Sequence, residues 1–273
     1  MSIIHIKQTY PKIQYSHGSS EIPNTAEFER HCHTKYEIIY ILQGEGKYIV
    51  EGCEYPLHPH ALLLMRPYEY HYVCPDRNRA YERIVIYFEE NTLPDAIKNC
   101  PSIHGKQGNY YSLTDSSSPL RSAFEALSAI DALSEHGTKH TPEAEALLQA
   151  TVAQIILLLT LETPAPPSTE DSAVVRHIIE YLNLHLTEEI SLDNLAKEFF
   201  VSKYHLCRMF HQQTGASIFT YFNTKRIALA RKMLADGENA TAVALRLGFR
   251  DYSTFYRAYR KQTGESPVRK KQI

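Results

Sequence analysis

The feature that most constrains this chain is a repeat. Residues Ser202 to Gly215 align with Asp251 to Gly264, 49 positions further on. Each copy opens on a helix N-cap residue, Ser202 or Asp251. Each places a large apolar residue four positions later, Leu206 or Phe255, then another at Phe210 or Tyr259, and closes on Gln-Thr-Gly. Apolar residues four apart line one helical face, and Arg208 and Arg257 fall on the other. A short helix is expected before each copy, Leu192 to Phe199 and Ala242 to Leu247. Two short helices joined tightly, the second capped and basic, make a helix-turn-helix. Its second helix has the shape that enters a DNA major groove.

Charge agrees with that reading. The chain of 273 residues has a formal net charge of −2, but Ser172 to Ile273 holds 16 Lys+Arg against 9 Asp+Glu. That is a balance of +7, against −9 for the first 171 residues. A basic C-terminal part behind an acidic N-terminal one points to a polyanion met by the former alone.

The N-terminal part has a different period. Tyr36 to Leu42 is β-branched and aromatic and stops at Gln43-Gly44-Glu45-Gly46. Lys47 to Val50, Ala61 to Met65, His71 to Cys74 and Arg83 to Phe88 repeat the pattern. Closely spaced short strands predict an antiparallel sandwich or barrel. Residues 1 to about 25, with Pro11 and Pro23, are expected to be an irregular arm. From Pro119 the period becomes helical through Leu120, Phe124, Leu127, Ile130 and Leu133 to Gly137. Thr141-Pro142-Glu143 then starts a second helix through Leu148, Val152, Ile155 and Leu159. Residues 162–171, rich in proline, form the expected linker. Beyond it, helices are expected throughout.

The repeated residues resemble the AraC/XylS family of bacterial transcription regulators. The resemblance covers Ser172 to the C-terminus. It is carried by Leu195-Ala196, Ser202-x3-Leu206-x3-Phe210, Thr214-Gly215-x-Ser217 and Tyr221-x4-Arg226-Ile227-x2-Ala230-x2-Met233-Leu234. Val243-Ala244-x3-Gly248-Phe249-x-Asp251, Phe255-x3-Tyr259 and Thr263-Gly264-x-Ser266-Pro267 complete it. The resemblance implies two helix-turn-helix units held by a long helix from about Ser217 to Leu234. It places base contacts at Tyr204, Cys207 and Arg208 in the first unit, and at Ser253, Tyr256 and Arg257 in the second. Ser202, Lys203, Arg260 and Lys261 suit phosphates. Two departures stand out: Phe200 occupies a turn position where a small residue is usual, and Tyr259 replaces a usual Phe.

Five histidines fall between residues 31 and 71, and His31-x-His33-x3-Glu37-x6-Gly44 looks like the first motif of the cupin barrels. His31, His33, Glu37 and His71 would complete a metal set of the type such barrels use. The second motif is degraded, with His60-Ala61 where a Gly-Asp turn is expected. A barrel without metal or other cofactor is therefore expected, sensing a small-molecule effector, with a sugar as one candidate. His33, Glu37, His71, Arg83 and Tyr87 are the pocket candidates, since Arg83, Val85 and Tyr87 share one strand face. Thirteen of the 19 tyrosines precede residue 172, and most are expected simply to pack in sheets.

The fold expected is α+β in two domains. A cupin-like β-barrel with its arm spans 1–118, a helical dimerisation region 119–161, a linker 162–171, and an AraC-type double helix-turn-helix domain 172–273. The expected function is a DNA-binding transcription regulator, with activation as the lean, acting as a homodimer that touches RNA polymerase. No catalytic residues are expected. A cytoplasmic location follows from five scattered cysteines, the lack of a secretory pattern at the start, and an apolar run, Ile155 to Leu159, far short of the roughly 20 residues a bilayer needs. The rival is a metal-dependent cupin enzyme, or a metal-sensing regulator, built on His31, His33, Glu37 and His71.

Overall fold

The computed structural model describes residues 3–10, 13–23, 28, 30–103, 108–127, 142–167 and 173–268. The chain divides into two compact units, Met1–Thr169 and Glu170–Ile273. Among the described residues the first holds strands β1 (Ile3–Thr9), β2 (Ile13–Ser20), β3 (Tyr36–Gln43), β4 (Gly46–Val50) and β5 (Cys53–Leu57). Strands β6 (Ala61–Met65), β7 (His71–Pro75), β8 (Tyr81–Phe88) and β9 (Tyr110–Ser112) follow, with helices α1 (Asp95–Lys98), α2 (Pro119–Ala126) and α3 (Pro142–Leu159).

Two antiparallel sheets build this unit, one in the order β1-β2-β8-β3-β6-β9 and the other β5-β4-β7. Side chains alternate across a strand, so β3 sends Ile39 and Ile41 inward, where they pack with Tyr48, Val50, Leu63, Val73, Tyr81 and Val85. Its other face, Ile38 and Tyr40, joins Leu62, Ile84, Ile86 and Phe88 beneath Leu120 and Phe124 of α2 and Leu148, Val152 and Ile155 of α3. Both faces are covered, which is why β3 reads as an apolar run without alternation. By length and composition α3 could cross a membrane. Seven of its residues are instead buried in this unit.

The N-terminal arm is the main correction. Rather than an irregular lead-in, β1 and β2 pair with each other, and β2 pairs with β8 from Ile13↔Phe88 to Ser20↔Tyr81. Ile13 and Tyr15 are fully buried. Polar residues fill the second half of β2, so its alternation is too short to give a period. The proline-rich stretch also differs from a free linker at its start: the Ala165 N–H donates to the Tyr110 carbonyl at 2.9 Å. Ring-locked residues lose little entropy on docking. The continuation expected through Ile130 and Leu133, the Thr141 cap and residues 168–172 lie outside the described residues.

The second unit is helical: α4 (Ala173–Leu184), α5 (Leu192–Glu198), α6 (Lys203–Thr214), α7 (Ile218–Ala235), α8 (Ala240–Arg246) and α9 (Tyr252–Thr263). The repeat shows as equality of geometry. Helices α6 and α9 have 12 residues each. Ser202 and Asp251 cap them by accepting from the N–H groups of His205 and Thr254. Both end on a left-handed glycine, Gly215 at φ 76° and Gly264 at φ 75°. Helix α8 begins two residues before the expected start, because Asn239 caps it by accepting from Thr241 and Ala242.

Candidate functional site

The barrel interior gathers most of the candidates around one carboxylate. Glu37 stands on β3 directly opposite Tyr87 on β8, facing inward. His71 heads β7, and an isolated bridge pairs it with His31. Glu37 Oε2 lies 2.8 Å from His33 Nε2 and 2.8 Å from His71 Nε2. The far nitrogens are held by backbone: His33 Nδ1 is 2.9 Å from the Lys35 carbonyl, and His71 Nδ1 is 2.8 Å from that of Glu69. The His33 ring meets Tyr87 edge-on at 5.2 Å, and the His31 ring lies 4.5 Å from that of His71.

The electrostatics follow from burial. Burial raises the Glu37 carboxyl, but contacts with His33 and His71 and their charge outweigh it and hold the group at about 2. Burial also lowers His71, and its contact with Glu37 reverses that and leaves it raised. The Tyr87 phenol is pushed up, first by burial and then by Glu37. Here an ionised carboxylate is compensated inside a protein, as a buried charge must be.

Arg83 stands apart from that cluster. It faces Ile41, further along β3 than Glu37, with its guanidinium 5.1 Å from the Phe28 ring centre and 4.8 Å from that of Tyr81. Its Nη1 is buried without a hydrogen-bond acceptor among the described residues. Ten of the thirteen tyrosines before residue 172 are buried, so packing accounts for most of them. His60 takes a positive φ of 66°, the conformation for which a glycine was expected at that turn.

In the helical unit, Leu206 and Phe210 of α6 and Phe255 and Tyr259 of α9 are buried. Tyr204, Cys207 and Arg208 are exposed on α6, as are Ser253 and Arg257 on α9, while Tyr256 is half-buried. Ser202, Arg260 and Lys261 are exposed too. Lys203 pairs with Asp193 at 2.9 Å. The spacing i, i+3, i+4 puts each set on one stripe.

Sequence reasoning assigned no role to Arg226, which proves to be the internal clamp of this unit. It is buried on α7, and its guanidinium donates to the carbonyls of Leu186, Glu188 and Gly248 while lying 4.2 Å over the Phe222 ring. An arginine inside the apolar stripe of a long helix was the available signal.

Comparison with known proteins agrees with both halves. Residues 15–152 match the model of an AraC-like ligand binding domain, and residues 195–272 match that of a helix-turn-helix domain. The chain is 24% identical over 253 residues to the HTH-type transcriptional activator RhaS of Klebsiella pneumoniae, covering 90% of this chain and 88% of that one. It is 26% identical over 230 residues to the HTH-type transcriptional regulator YbfI of Bacillus subtilis, covering 83% and 81%. Among solved structures, ToxT from Vibrio cholerae covers 94% of this chain and 96% of its own at 13% identity, with a TM-score of 0.38. With a ligand-binding barrel ahead of two matched helix-turn-helix units, the chain belongs to the AraC family of effector-responsive, DNA-binding transcription regulators.

Proposed function

We propose that the protein activates transcription when a small polar molecule, with sugars as the first class to try, enters the barrel. The effector contacts are His33, Glu37, His71, Arg83 and Tyr87. DNA bases are read by Tyr204, Cys207 and Arg208 from α6 and by Ser253, Tyr256 and Arg257 from α9. Ser202, Lys203, Arg260 and Lys261 hold phosphates, with Lys203 exchanging Asp193 for DNA. The observation that carries this reading is the pair of equal helices, each burying one face in its own unit and exposing the other.

The protein acts as a homodimer in the cytoplasm, without catalysis, through residues 119–161. Leu147 and Leu157 on α3 support that assignment, since both keep apolar surface in solvent after the helix has covered the sheet. The linker, 162–171, passes the signal from the barrel domain, 1–118, to the DNA-binding domain, 172–273, and bound protein contacts RNA polymerase. The test is selection of bound sequences by the full-length protein from a random DNA pool, with and without a panel of sugars. Recovery of one asymmetric site whose occupancy changes with a sugar is expected. A protein that enriches no sequence at low salt refutes the reading.

A further inference from the structure

We propose that His31, His33, Glu37 and His71 bind one divalent transition-metal cation inside the barrel. The proposal rests on the reading of the barrel interior as the sensing site and deepens it: three of the five effector candidates become the holders of an ion.

Backbone contacts fix which ring nitrogens face Glu37. The Nδ1 atoms of His33 and His71 each sit within 2.9 Å of a backbone carbonyl. A carbonyl only accepts, so Nδ1 carries the hydrogen in both rings. Both rings therefore turn Nε2 toward Glu37, and both Nε2 atoms lie 2.8 Å from the same carboxylate oxygen. His71 Nε2 is buried and out of line for a hydrogen bond to that oxygen. One divalent cation at this point would take Nε2 of both rings and the carboxylate oxygen as ligands together.

The donor set fits such an ion. His31 contributes a third imidazole, and the ligand atoms of all four residues lie within 4.8 Å of one another. Nitrogen and oxygen ligands about 2.0–2.2 Å from a zinc-sized ion stand roughly 3–3.5 Å apart. Small side-chain rotations therefore close the cage. Backbone carbonyls on the far nitrogens are the outer contacts that orient metal-bound histidines and fix their tautomer. Three imidazoles and one carboxylate select zinc, iron, manganese or nickel over calcium or magnesium. The ion would also pin the segment carrying His31 to β7, where a single bridge now joins them.

The test uses the full-length protein, without a histidine tag, and cobalt(II) alone as the probe. After chelator stripping and dialysis, Co²⁺ is titrated while visible absorption and thermal unfolding are followed. Saturation at one Co²⁺ per chain, with ligand-field bands and a raised unfolding midpoint, is expected. The double variant His31→Gln/His33→Gln, with an unchanged far-UV spectrum, should bind at least 100-fold more weakly. If it does not fold, His31→Gln alone, at an exposed position, should lose at least tenfold. Absence of saturable binding in the wild type, or equal binding in the folded variants, overturns the proposal. Uptake needs neither effector nor DNA. A protein that ignores Co²⁺ yet answers an effector therefore removes the ion and leaves the proposed function standing.

Discussion

Phe200 and Gly248 occupy equivalent turns of the two helix-turn-helix units and share a left-handed backbone, φ 54° and φ 68°. Glycine adopts that conformation freely, whereas a phenylalanine there is strained. Phe200 is also 95% exposed, so packing returns nothing. Phe200→Gly should therefore stabilise the unit by about 1 kcal/mol. Gly248→Ala should destabilise it by about 2 kcal/mol, because a Cβ there would lie 2.8 Å from Arg226 Nη2 and 3.3 Å from the Thr187 carbonyl. Urea unfolding of residues 170–273 measures both, and equal signs would refute the comparison.

Arg226→Met keeps the length of the side chain and removes its donors. The carbonyls of Leu186, Glu188 and Gly248 lose the guanidinium they now share. A loss of about 3 kcal/mol is expected, read as a lower urea midpoint, with the loss of DNA binding following from unfolding alone.

The fragment 170–273 should fold and retard promoter DNA without the barrel, since both units and α7 lie inside it. Its affinity should fall steeply with salt through counterion release. A fragment that is helical by circular dichroism but binds no DNA at low salt contradicts this.

The two exposed stripes differ in sequence, so each should read its own DNA segment, the two about one helical turn, roughly 34 Å, apart. Arg208→Ala should cost about 1–3 kcal/mol and relax base preference in one segment, and Arg257→Ala in the other. Lys261→Ala should weaken all sites alike and lower the salt slope by about one. The measurement is binding to a library of point-mutated sites. Equal effects of both arginine variants on every site would mark them as phosphate contacts.

Removal of residues 1–20 should expose the edge of β8 and cause aggregation, because β2 covers it along its whole length. Ile13→Ala, at a fully buried position, should lower barrel stability by about 2–4 kcal/mol. Solution light scattering and thermal unfolding report on the two variants, and a truncated chain that keeps the size of the intact protein with an unchanged midpoint restores the arm.

The helical half was legible because its signals are local. Ser202, Asp251 and the closing glycines each act on their own turn, and a repeat states them twice. The strand run Tyr36 to Leu42 was legible from apolar content alone. The pairing of β2 with β8 was not, since it joins residues more than sixty apart and its polar second half gives no period. Within the barrel, the His-x-His spacing named the candidates. That His71 would close on Glu37 depends on how β7 meets the segment before β3, which no local pattern encodes. Arg226 was visible as a motif residue but its three carbonyl partners, lying on other segments, were not.

Strand β3 has a further consequence. Glu37 faces the interior, while its immediate neighbour Ile38 is buried in the layer beneath the helices and Tyr36 stacks on Phe88 at 5.1 Å in the same layer. The inner layer and the helical coat are thus the two sides of a wall one strand thick. Successive residues share a peptide plane, and a close-packed interior resists compression. Whatever displaces Glu37 must lift or press Ile38, and with it the footing of α2 and α3. For the proposed sensing function the partition itself is the lever, and no moving loop is required.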